Sequence, residues 1–305
     1  MGVRLDRTRL VPWLNSTKRM PPAPETCVVT GTNGYLGGRV KAALEERGWR
    51  VLGLTRAPKP GSNAQPFQLG GEVAVAALAG AKALVHCAYD FQQLVWKDVR
   101  RVNVEGSKKL FQAAKEARTQ QLVFISSISA FEGCRSIYGR AKLEIESLAS
   151  SYGAAIIRPG LIWGEPPGAM FARLVKQVEE ARVLPLLGGG AQIQHLVHDA
   201  DLTNAICTCA EGAVPASSGP ITVAHERPWR FREVLEEIAR AKRKKISFVR
   251  FPWRAVWLVL KSAELFGAHL AFRSDSLVSL MHQNPSPNLD RQRELGTICR
   301  PFQFS

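Results

Sequence analysis

The stretch CVVTGTNGYLGGRVKAALEERGWRVLGLTR, residues 27–56, decides the fold. A short apolar run ends in three glycines spaced three apart, Gly31, Gly34 and Gly37. An amphipathic segment with helical periodicity follows, and a second apolar run then predicts another strand. The order strand, glycine-rich turn, helix and strand is typical of a dinucleotide-binding unit in an α/β protein with a doubly wound parallel sheet.

The spacing of the three glycines suits a turn that binds phosphate. Gly31 permits the tight turn, Gly34 lets the backbone approach a pyrophosphate, and Gly37 lets the helix pack closely on the strand. Backbone N–H groups at the start of the helix then hold the phosphates. We therefore predict that seven consecutive residues bind the cofactor: Gly31, Thr32, Asn33, Gly34, Tyr35, Leu36 and Gly37.

The end of the second predicted strand indicates which cofactor binds. An acidic residue there would accept hydrogen bonds from the ribose 2′-OH of NAD, but the sequence reads Leu54-Thr55-Arg56. A hydroxyl and a guanidinium instead suit the 2′-phosphate of NADP, which an arginine can bind through two donors. We predict NADP as the cofactor, with Thr55 and Arg56 among its ligands, and leave NAD open as the alternative.

A second set of chemically useful residues follows the apolar run 121–125. Ser127 comes just after this predicted strand, and Tyr138 and Lys142 lie four residues apart where a helix is predicted to begin. That spacing places the phenol and the ammonium on one helix face. Because a nearby ammonium lowers the pKa of a phenol, we expect Tyr138 to transfer a proton, Lys142 to tune it and Ser127 to hold the reacting oxygen.

The order of these motifs resembles that of the extended short-chain dehydrogenases/reductases, a family of NAD(P)-dependent epimerases, dehydratases and reductases, over residues 26–302. The further segments that carry the resemblance are His86-Cys87-Ala88, Asn103-Val104-Glu105-Gly106, Arg158-Pro159-Gly160, His198-Asp199-Ala200-Asp201-Leu202 and Glu294-Leu295-Gly296. The resemblance implies a Rossmann-type parallel sheet with a small C-terminal α/β substrate lobe. We expect His86 and His198 to hold strand ends by hydrogen bonds rather than to catalyse.

The same resemblance implies further cofactor contacts and an oxidoreductase or epimerase activity. The catalytic residues would be Ser127, Tyr138 and Lys142, and the cofactor would also contact Leu69, Cys87, Ala88, Tyr89, Asn103, Tyr138, Lys142, Pro159, Gly160 and Ile162. Related enzymes often form homodimers, so a homodimer is expected. The predicted organisation is a flexible basic leader (1–25), a dinucleotide-binding domain (26–165 and 194–225) and a substrate-binding lobe (166–193 and 226–305).

Departures from the family pattern reduce the number of reactions that this chain is expected to catalyse. Dehydratases of the family carry an Asp–Glu pair beside the serine or threonine, whereas Ser127 is followed by Ile128 and Ser129. We therefore expect keto-reduction or epimerisation of a small molecule, with a sugar nucleotide or related sugar as the first choice. Gln194 stands where such epimerases often have an arginine. A phosphate clamp would then have to come from another cation: Arg173, Lys176 or Arg291.

Two alternatives to a sugar substrate remain open. The stretch 253–272 is rich in tryptophan, leucine and phenylalanine and has basic residues beside it. We expect this stretch to pack in the core and lid of the substrate lobe. The alternative is a membrane-surface face, since amphipathic helices flanked by basic residues bind anionic lipid, and with it a sterol-like or other apolar alcohol as substrate. A protein that binds NADP without turning it over is the second.

Composition excludes several other classes of protein. The chain has 305 residues, 46% of them hydrophobic, and a formal charge of +15, which predicts a globular protein of one large or two modest domains. The basic run at 240–245 lacks the interleaved aromatic residues of a single-strand binding groove, so no nucleic acid is expected. Six cysteines without metal-ligand spacing predict no metal site and a reduced, cytoplasmic location. We expect neither a secretory signal nor a transmembrane helix.

Overall fold

The computed structural model describes residues 23–304, except 214–218, 269, 271 and 285. Most of the predicted leader, residues 1–22, lies outside the described residues. The strands are β1 (Thr26–Thr30), β2 (Arg50–Thr55), β3 (Ala64–Pro66), β4 (Ala83–His86), β5 (Gln121–Ile125), β6 (Ala155–Pro159), β7 (Leu161–Trp163), β8 (Val183–Leu187), β9 (Ile193–Gln194), β10 (Leu196–His198), β11 (Ile221–Val223), β12 (Trp229–Arg230) and β13 (Ser247–Phe251).

Helices connect most of these strands. They are α1 (Tyr35–Glu46), α2 (Trp96–Val99), α3 (Glu105–Glu116), α4 (Ile137–Ser151), α5 (Ala169–Glu180), α6 (Asp199–Ala210), α7 (Phe231–Ala241), α8 (Trp253–Leu265) and α9 (Ser274–Met281). A π-helical segment, Arg100–Val104, joins α2 to α3, and 3₁₀ segments lie at Val75–Leu78, Gly188–Gly190 and Asp290–Leu295. The segment from β1 to β2 matches the strand–turn–helix–strand prediction.

The central sheet has seven strands in the order β3-β2-β1-β4-β5-β6-β11. Every neighbouring pair in it is parallel. The chain runs outward from β1 to β3, then crosses to β4 on the other side of β1, so the order reverses between β1 and β4. This confirms the predicted doubly wound fold, in which ligands bind beyond the carboxyl ends of the strands at that reversal.

Both faces of this sheet are covered, which explains why its strands read as continuous apolar runs. Cys27, Val28 and Val29 of β1 are fully buried although successive side chains point to opposite faces. On one face the core includes residues of α1 and α6, such as Leu44 and Leu202, and on the other it includes residues of α3 and α4. The helices on the two faces hold the parallel strands in place, so the carboxyl ends of the strands lie at one edge of the sheet.

A separate apolar core lies in the part predicted to form the substrate lobe. It contains residues of α5, α7, β8 and the chain end, with the Phe302 ring 5.2 Å from Trp163, 5.2 Å from Trp229 and 5.6 Å from Phe171 between ring centroids. Strand β13 pairs in parallel with β8, and β12 pairs antiparallel with β9. Helix α9 packs against α8 and α4. The exact domain boundaries stay a prediction.

Candidate functional site

The glycine-rich turn lies at the carboxyl end of β1. Gly31 has φ of +74°, a conformation that favours glycine, and its N–H donates to Leu54 O at 2.7 Å. Its carbonyl accepts from Gly34 N at 2.8 Å. A Cβ atom on Gly37 would lie 2.3 Å from Gly31 O, so no side chain fits there. The start of α1 therefore approaches the turn as closely as the glycine spacing predicts.

The N-terminus of α1 is suited to an anion. Its N-cap is Gly34, and in the described part of the chain no side chain caps it and no acid lies in its first turn. The first N–H groups of a helix lack intrahelical partners, and the helix dipole favours negative charge beside them. These features fit the pyrophosphate of a dinucleotide.

The end of β2 lies next to this turn. Asn33 Nδ2 donates to Ala57 O at 2.7 Å, which links the turn to the loop after β2. Thr55 is buried and Arg56 is exposed. An exposed guanidinium beside the phosphate-binding turn fits the 2′-phosphate of NADP, and these residues as ligands stay a prediction.

His86 has a structural role, as expected. Ser107 Oγ donates to Asn103 O at 2.6 Å, so it accepts from His86 Nε2 at 2.9 Å. The other ring nitrogen, Nδ1, then accepts from Thr30 Oγ1 at 2.8 Å. Burial and the charge of Lys142 lower the pKa of His86 to about 3. This neutral ring joins the ends of β1 and β4 to α3.

The structure brings Ser127, Tyr138 and Lys142 together at the carboxyl end of β5. Tyr138 lies in the first turn of α4, and the nearby Ser127 side chain lowers the pKa of its phenol, against the larger effect of burial. Lys142 lies one turn later, its Nζ 5.9 Å from the centroid of the Tyr138 ring. The buried ammonium donates to Ile125 O at 2.7 Å. The three predicted residues therefore form one cluster at the sheet edge that also carries the glycine-rich turn.

The protonation states differ from the expectation. Burial raises the pKa of Tyr138 to about 12, and the nearby Ser127 side chain only partly opposes this effect. The expected lowering of this pKa by Lys142 is wrong for this structure, because the ammonium is directed at Ile125 O. Burial also lowers the pKa of Lys142 to about 8. Tyr138 is therefore a phenol at neutral pH and is suited to donating a proton.

Aromatic rings surround the phenol. The Tyr89 ring meets Tyr138 edge-on with 5.1 Å between centroids, and the Phe91 ring stacks on it at 5.7 Å. Arg273 of the C-terminal segment donates to the carbonyls of Phe91 (2.8 Å) and Gln93 (3.2 Å). The loop after β4 is thereby fixed against the phenol.

A cavity of about 180 Å³ lies beside Tyr138. Besides Tyr138 itself, its apolar and aromatic lining residues are Tyr89, Leu94, Val99, Ile137, Trp257 and Val278. Three of its charged lining groups already have partners: Lys261 lies 3.9 Å from Glu264, and Arg273 is bonded to the loop carbonyls. This cavity is the candidate substrate site, between the sheet edge and the α8–α9 pair.

Asp275 is a site residue that the sequence analysis missed. Its carboxylate accepts from the N–H groups of Ile137 (2.6 Å) and Tyr138 (3.0 Å). Ser136 Oγ accepts from the N–H of Gly139 at 3.0 Å. A side chain of α9 therefore caps the helix that carries Tyr138. The residue is 137 positions away from Tyr138, so no local pattern could have revealed it.

A second missed contact holds the cofactor turn. Asp199, at the start of α6, is buried and accepts from Tyr35 Oη at 2.5 Å. Arg39 Nε lies 2.7 Å from the same carboxylate. Burial and Asp199 raise the pKa of Tyr35 well above its usual value. This network fixes the first turns of α1 against α6.

The remaining predicted residues are the other cofactor contacts and the candidate phosphate-clamp cations. Leu69 follows β3, residues Cys87, Ala88 and Tyr89 follow β4, and Pro159, Gly160 and Ile162 lie in β6, β7 and the joint between them. The amide of Asn103 is occupied by the backbone of Asp90, at 2.7 and 3.0 Å, and so fixes the loop after β4. Neither Lys176 nor Arg291 lines the cavity, and each pairs with a nearby glutamate. Arg173 does not line it either.

Comparison with known proteins assigns the family. The profile described as "NAD dependent epimerase/dehydratase family" matches residues 27–219. The chain belongs to this family. A curated relative, 3-beta-hydroxysteroid dehydrogenase from Mycolicibacterium neoaurum, is 26% identical in an alignment 236 residues long that covers 63% of this chain and 63% of that protein. This chain therefore spans less than two thirds of that relative.

Another relative is UDP-glucose 4-epimerase from Vibrio cholerae, which is 25% identical in an alignment 276 residues long that covers 80% of this chain and 83% of that protein. The crystal structure of gox2253 is similar with a TM-score of 0.68 and 21% identity, covering 91% of this chain and 94% of that one. The likeness to gox2253 agrees with the fold described above.

The role of Asp275 can be tested by Asp275→Ala. Loss of the cap should lower the free energy of unfolding by about 1–2 kcal/mol, measured by urea denaturation. Asp275→Asn keeps an acceptor oxygen and should lose less. The matched control is Glu179→Ala on the exposed surface of α5, expected to change stability by under about 0.5 kcal/mol. Equal stability of the Asp275→Ala and control proteins would show that the cap contributes nothing.

Proposed function

We propose that this chain is an NADP-dependent oxidoreductase that reduces a carbonyl group of a small molecule, or oxidises the corresponding alcohol. The observation that carries the proposal is the cluster of Ser127, Tyr138 and Lys142 at the same sheet edge as the glycine-rich turn, in which Tyr138 lines a cavity. Reduction is favoured over epimerisation because the end of β2 carries Thr55 and Arg56 in place of an acid, which suits NADP, and NADP suits the net reduction of a carbonyl.

The residues of the cluster divide the work of proton transfer. Bound NADPH supplies the hydride that reaches the carbonyl carbon. Ser127 and Tyr138 donate hydrogen bonds to the carbonyl oxygen, and the phenolic proton passes to that oxygen as its charge develops. The C=O double bond becomes a C–O single bond with a new O–H. Lys142, whose ammonium donates to Ile125 O, would hold α4 and its phenol at the sheet edge.

The glycine-rich turn and α1 would hold the cofactor's pyrophosphate, with Arg56 on the 2′-phosphate. Two features support this placement. Gly37 has no room for a side chain, and among the described residues no side chain caps the N-terminus of α1. NAD remains the alternative cofactor. The cytoplasmic location and the homodimer stay predictions.

For the substrate, we favour an apolar ketone or alcohol over the sugar nucleotide that the family resemblance first implied. Seven of the fourteen residues that line the cavity are apolar or aromatic, Lys261 lies 3.9 Å from Glu264, and Arg273 donates to a loop carbonyl. A phosphate clamp would need an unpaired cation in the wall. The steroid dehydrogenase relative acts on an apolar ring alcohol by its name, which agrees with this class.

A sugar nucleotide is the second candidate. Its support is the similarity to UDP-glucose 4-epimerase, which extends over 80% of this chain. Arg135 also lines the cavity and is exposed, so it is the residue that a diphosphate would contact first. A substrate panel of cyclic ketones and UDP-sugars separates the two classes.

The catalytic assignment predicts the effect of Tyr138→Phe. Turnover, followed as NADPH consumption with the best substrate of that panel, should fall by about 10²–10⁴ because the proton donor is lost. The affinity for NADPH should change little. Tyr152→Phe, at the other end of α4, is the matched control and should keep full turnover. Full activity in Tyr138→Phe would refute the proposed role.

The cofactor assignment predicts the effect of Arg56→Ala. Loss of a charge-assisted hydrogen bond of about 1.5–3 kcal/mol should weaken NADPH binding by about 10-fold to 100-fold and leave NADH binding unchanged. Fluorescence titration of both nucleotides measures this. Arg50→Ala, at the opposite end of β2, is the control. Equal losses for NADPH and NADH, or no loss for either, would contradict NADP selectivity at Arg56.

A further inference from the structure

Helix α8 exposes an unusual amount of apolar surface. None of its thirteen residues, all of which the structure describes, is buried. Leu258 is 60% exposed, Val259 69% and Leu265 77%, and the adjoining Phe266 is 92% exposed. The spacing of these four residues places them along one side of the helix. Exposed apolar side chains grouped in this way mark an interaction surface, whereas single scattered ones do not.

The apolar surface continues into the preceding strand. Val249 and Phe251 of β13 are each 46% exposed, and their spacing of two places them on the same face of the strand. Pro252 alone separates β13 from α8. We name these six residues the α8 face: Val249, Phe251, Leu258, Val259, Leu265 and Phe266.

The charges along this segment all have one sign. Residues 243–263 contain no aspartate or glutamate and six cations: Arg243, Lys244, Lys245, Arg250, Arg254 and Lys261. The first acid, Glu264, does not offset them at the surface. Its carboxylate is 5% exposed and accepts from Ser274 N (2.7 Å) and Ser274 Oγ (2.6 Å). Lys261 lines the cavity, and Arg250 alternates with Val249 and Phe251 along β13, so the cation beside the α8 face is Arg254, with the run 243–245 preceding β13.

The opposite side of α8 faces the candidate active site. Trp257 and Lys261, one turn apart, line the cavity beside Tyr138. At 100° per residue, Val259 and Phe266 point about 180° away from Trp257. One helix thus separates the cavity from the exposed apolar surface.

We propose that the α8 face docks on an anionic lipid membrane, so that an apolar substrate passes from the bilayer into the cavity beneath α8. The part that concerns the substrate rests on the proposed function. Apolar side chains of such a face enter the boundary between headgroups and acyl chains, while the cations bind lipid phosphates. This is surface attachment: within the described residues no helix is long and apolar enough to cross a bilayer.

A second copy of the chain fits this face less well. A two-fold contact places the same surface on both partners, so the α8 face would bring cations against cations. Like charges placed together across an interface oppose association. An anionic lipid surface supplies the complementary charge.

The test is co-sedimentation of the full chain with vesicles of phosphatidylcholine alone or of phosphatidylcholine with phosphatidylglycerol. We expect binding only to the anionic vesicles, and less of it as salt rises. Leu258→Gln combined with Phe266→Gln should weaken binding at least about tenfold. Arg254→Gln should weaken it about fivefold. These positions are exposed, so the variants should fold.

Matched controls lie outside the α8 face. Ile298→Gln removes an apolar side chain that is 91% exposed, and Lys108→Gln removes an exposed cation of α3. Both should bind vesicles like the parent chain. Equal binding to the two kinds of vesicle, or equal losses in the control and α8 variants, would overturn the proposal.

Two further measurements separate this inference from the proposed function and from self-association. Tyr138→Phe should bind vesicles normally, and vesicle binding without reductase activity would contradict only the proposed function. If the chain reduces its substrate with NADPH but does not bind anionic vesicles, only the docking proposal is contradicted. Sedimentation velocity completes the test, because a dimer that dissociates in Leu258→Gln/Phe266→Gln without vesicle binding would assign the face to a second copy.

Discussion

The geometry of the site depends on burying one ammonium group. Lys142 is 3% exposed, and a buried cation is costly unless hydrogen bonds and nearby charge compensate it. The Ile125 carbonyl accepts its hydrogen bond, and the rings of Phe124 and Tyr89 lie 4.8 and 5.0 Å from Nζ. These partners belong to β5 and the loop after β4. Helix α4 must therefore pack directly against the sheet, which places Tyr138, one turn earlier, at the sheet edge.

A second charged group supports this position. Glu146, one turn after Lys142, is held by Arg158 at 2.5 and 2.7 Å and by Ser126 at 2.5 Å. Its negative charge raises the pKa of Lys142 and partly offsets the effect of burial. At the other end of α4, Asp275 caps the first turn. The sheet therefore positions the Tyr138 phenol from one side, and the C-terminal segment positions it from the other. The C-terminal segment also forms part of the cavity wall.

Much of the fold and part of the site could be predicted from the sequence, because their determinants are local. The glycine spacing identified the β1–α1–β2 unit, and the four-residue spacing of Tyr138 and Lys142 identified one helix face. The pKa of Tyr138 was predicted in the wrong direction because burial depends on tertiary packing. The contacts of Asp275 and Asp199 join residues far apart in the chain, and the exposure of α8 depends on which of its sides the cavity wall uses. Neither of the two contacts has a local signature, whereas the apolar and basic composition of residues 253–272 already indicated a membrane-surface helix as an alternative.

Direct titration of Lys142 tests the central claim, that a buried ammonium lies under the phenol. In an NMR titration of the full chain with isotopically labelled lysine side chains, one lysine should titrate with a pKa of about 8, far below the ordinary lysine value. Its signal should be absent from Lys142→Arg. If every lysine titrates near the ordinary value of about 10.4, the ammonium is exposed to water, and the arrangement of Tyr138, Ser127 and Lys142 described here is incorrect.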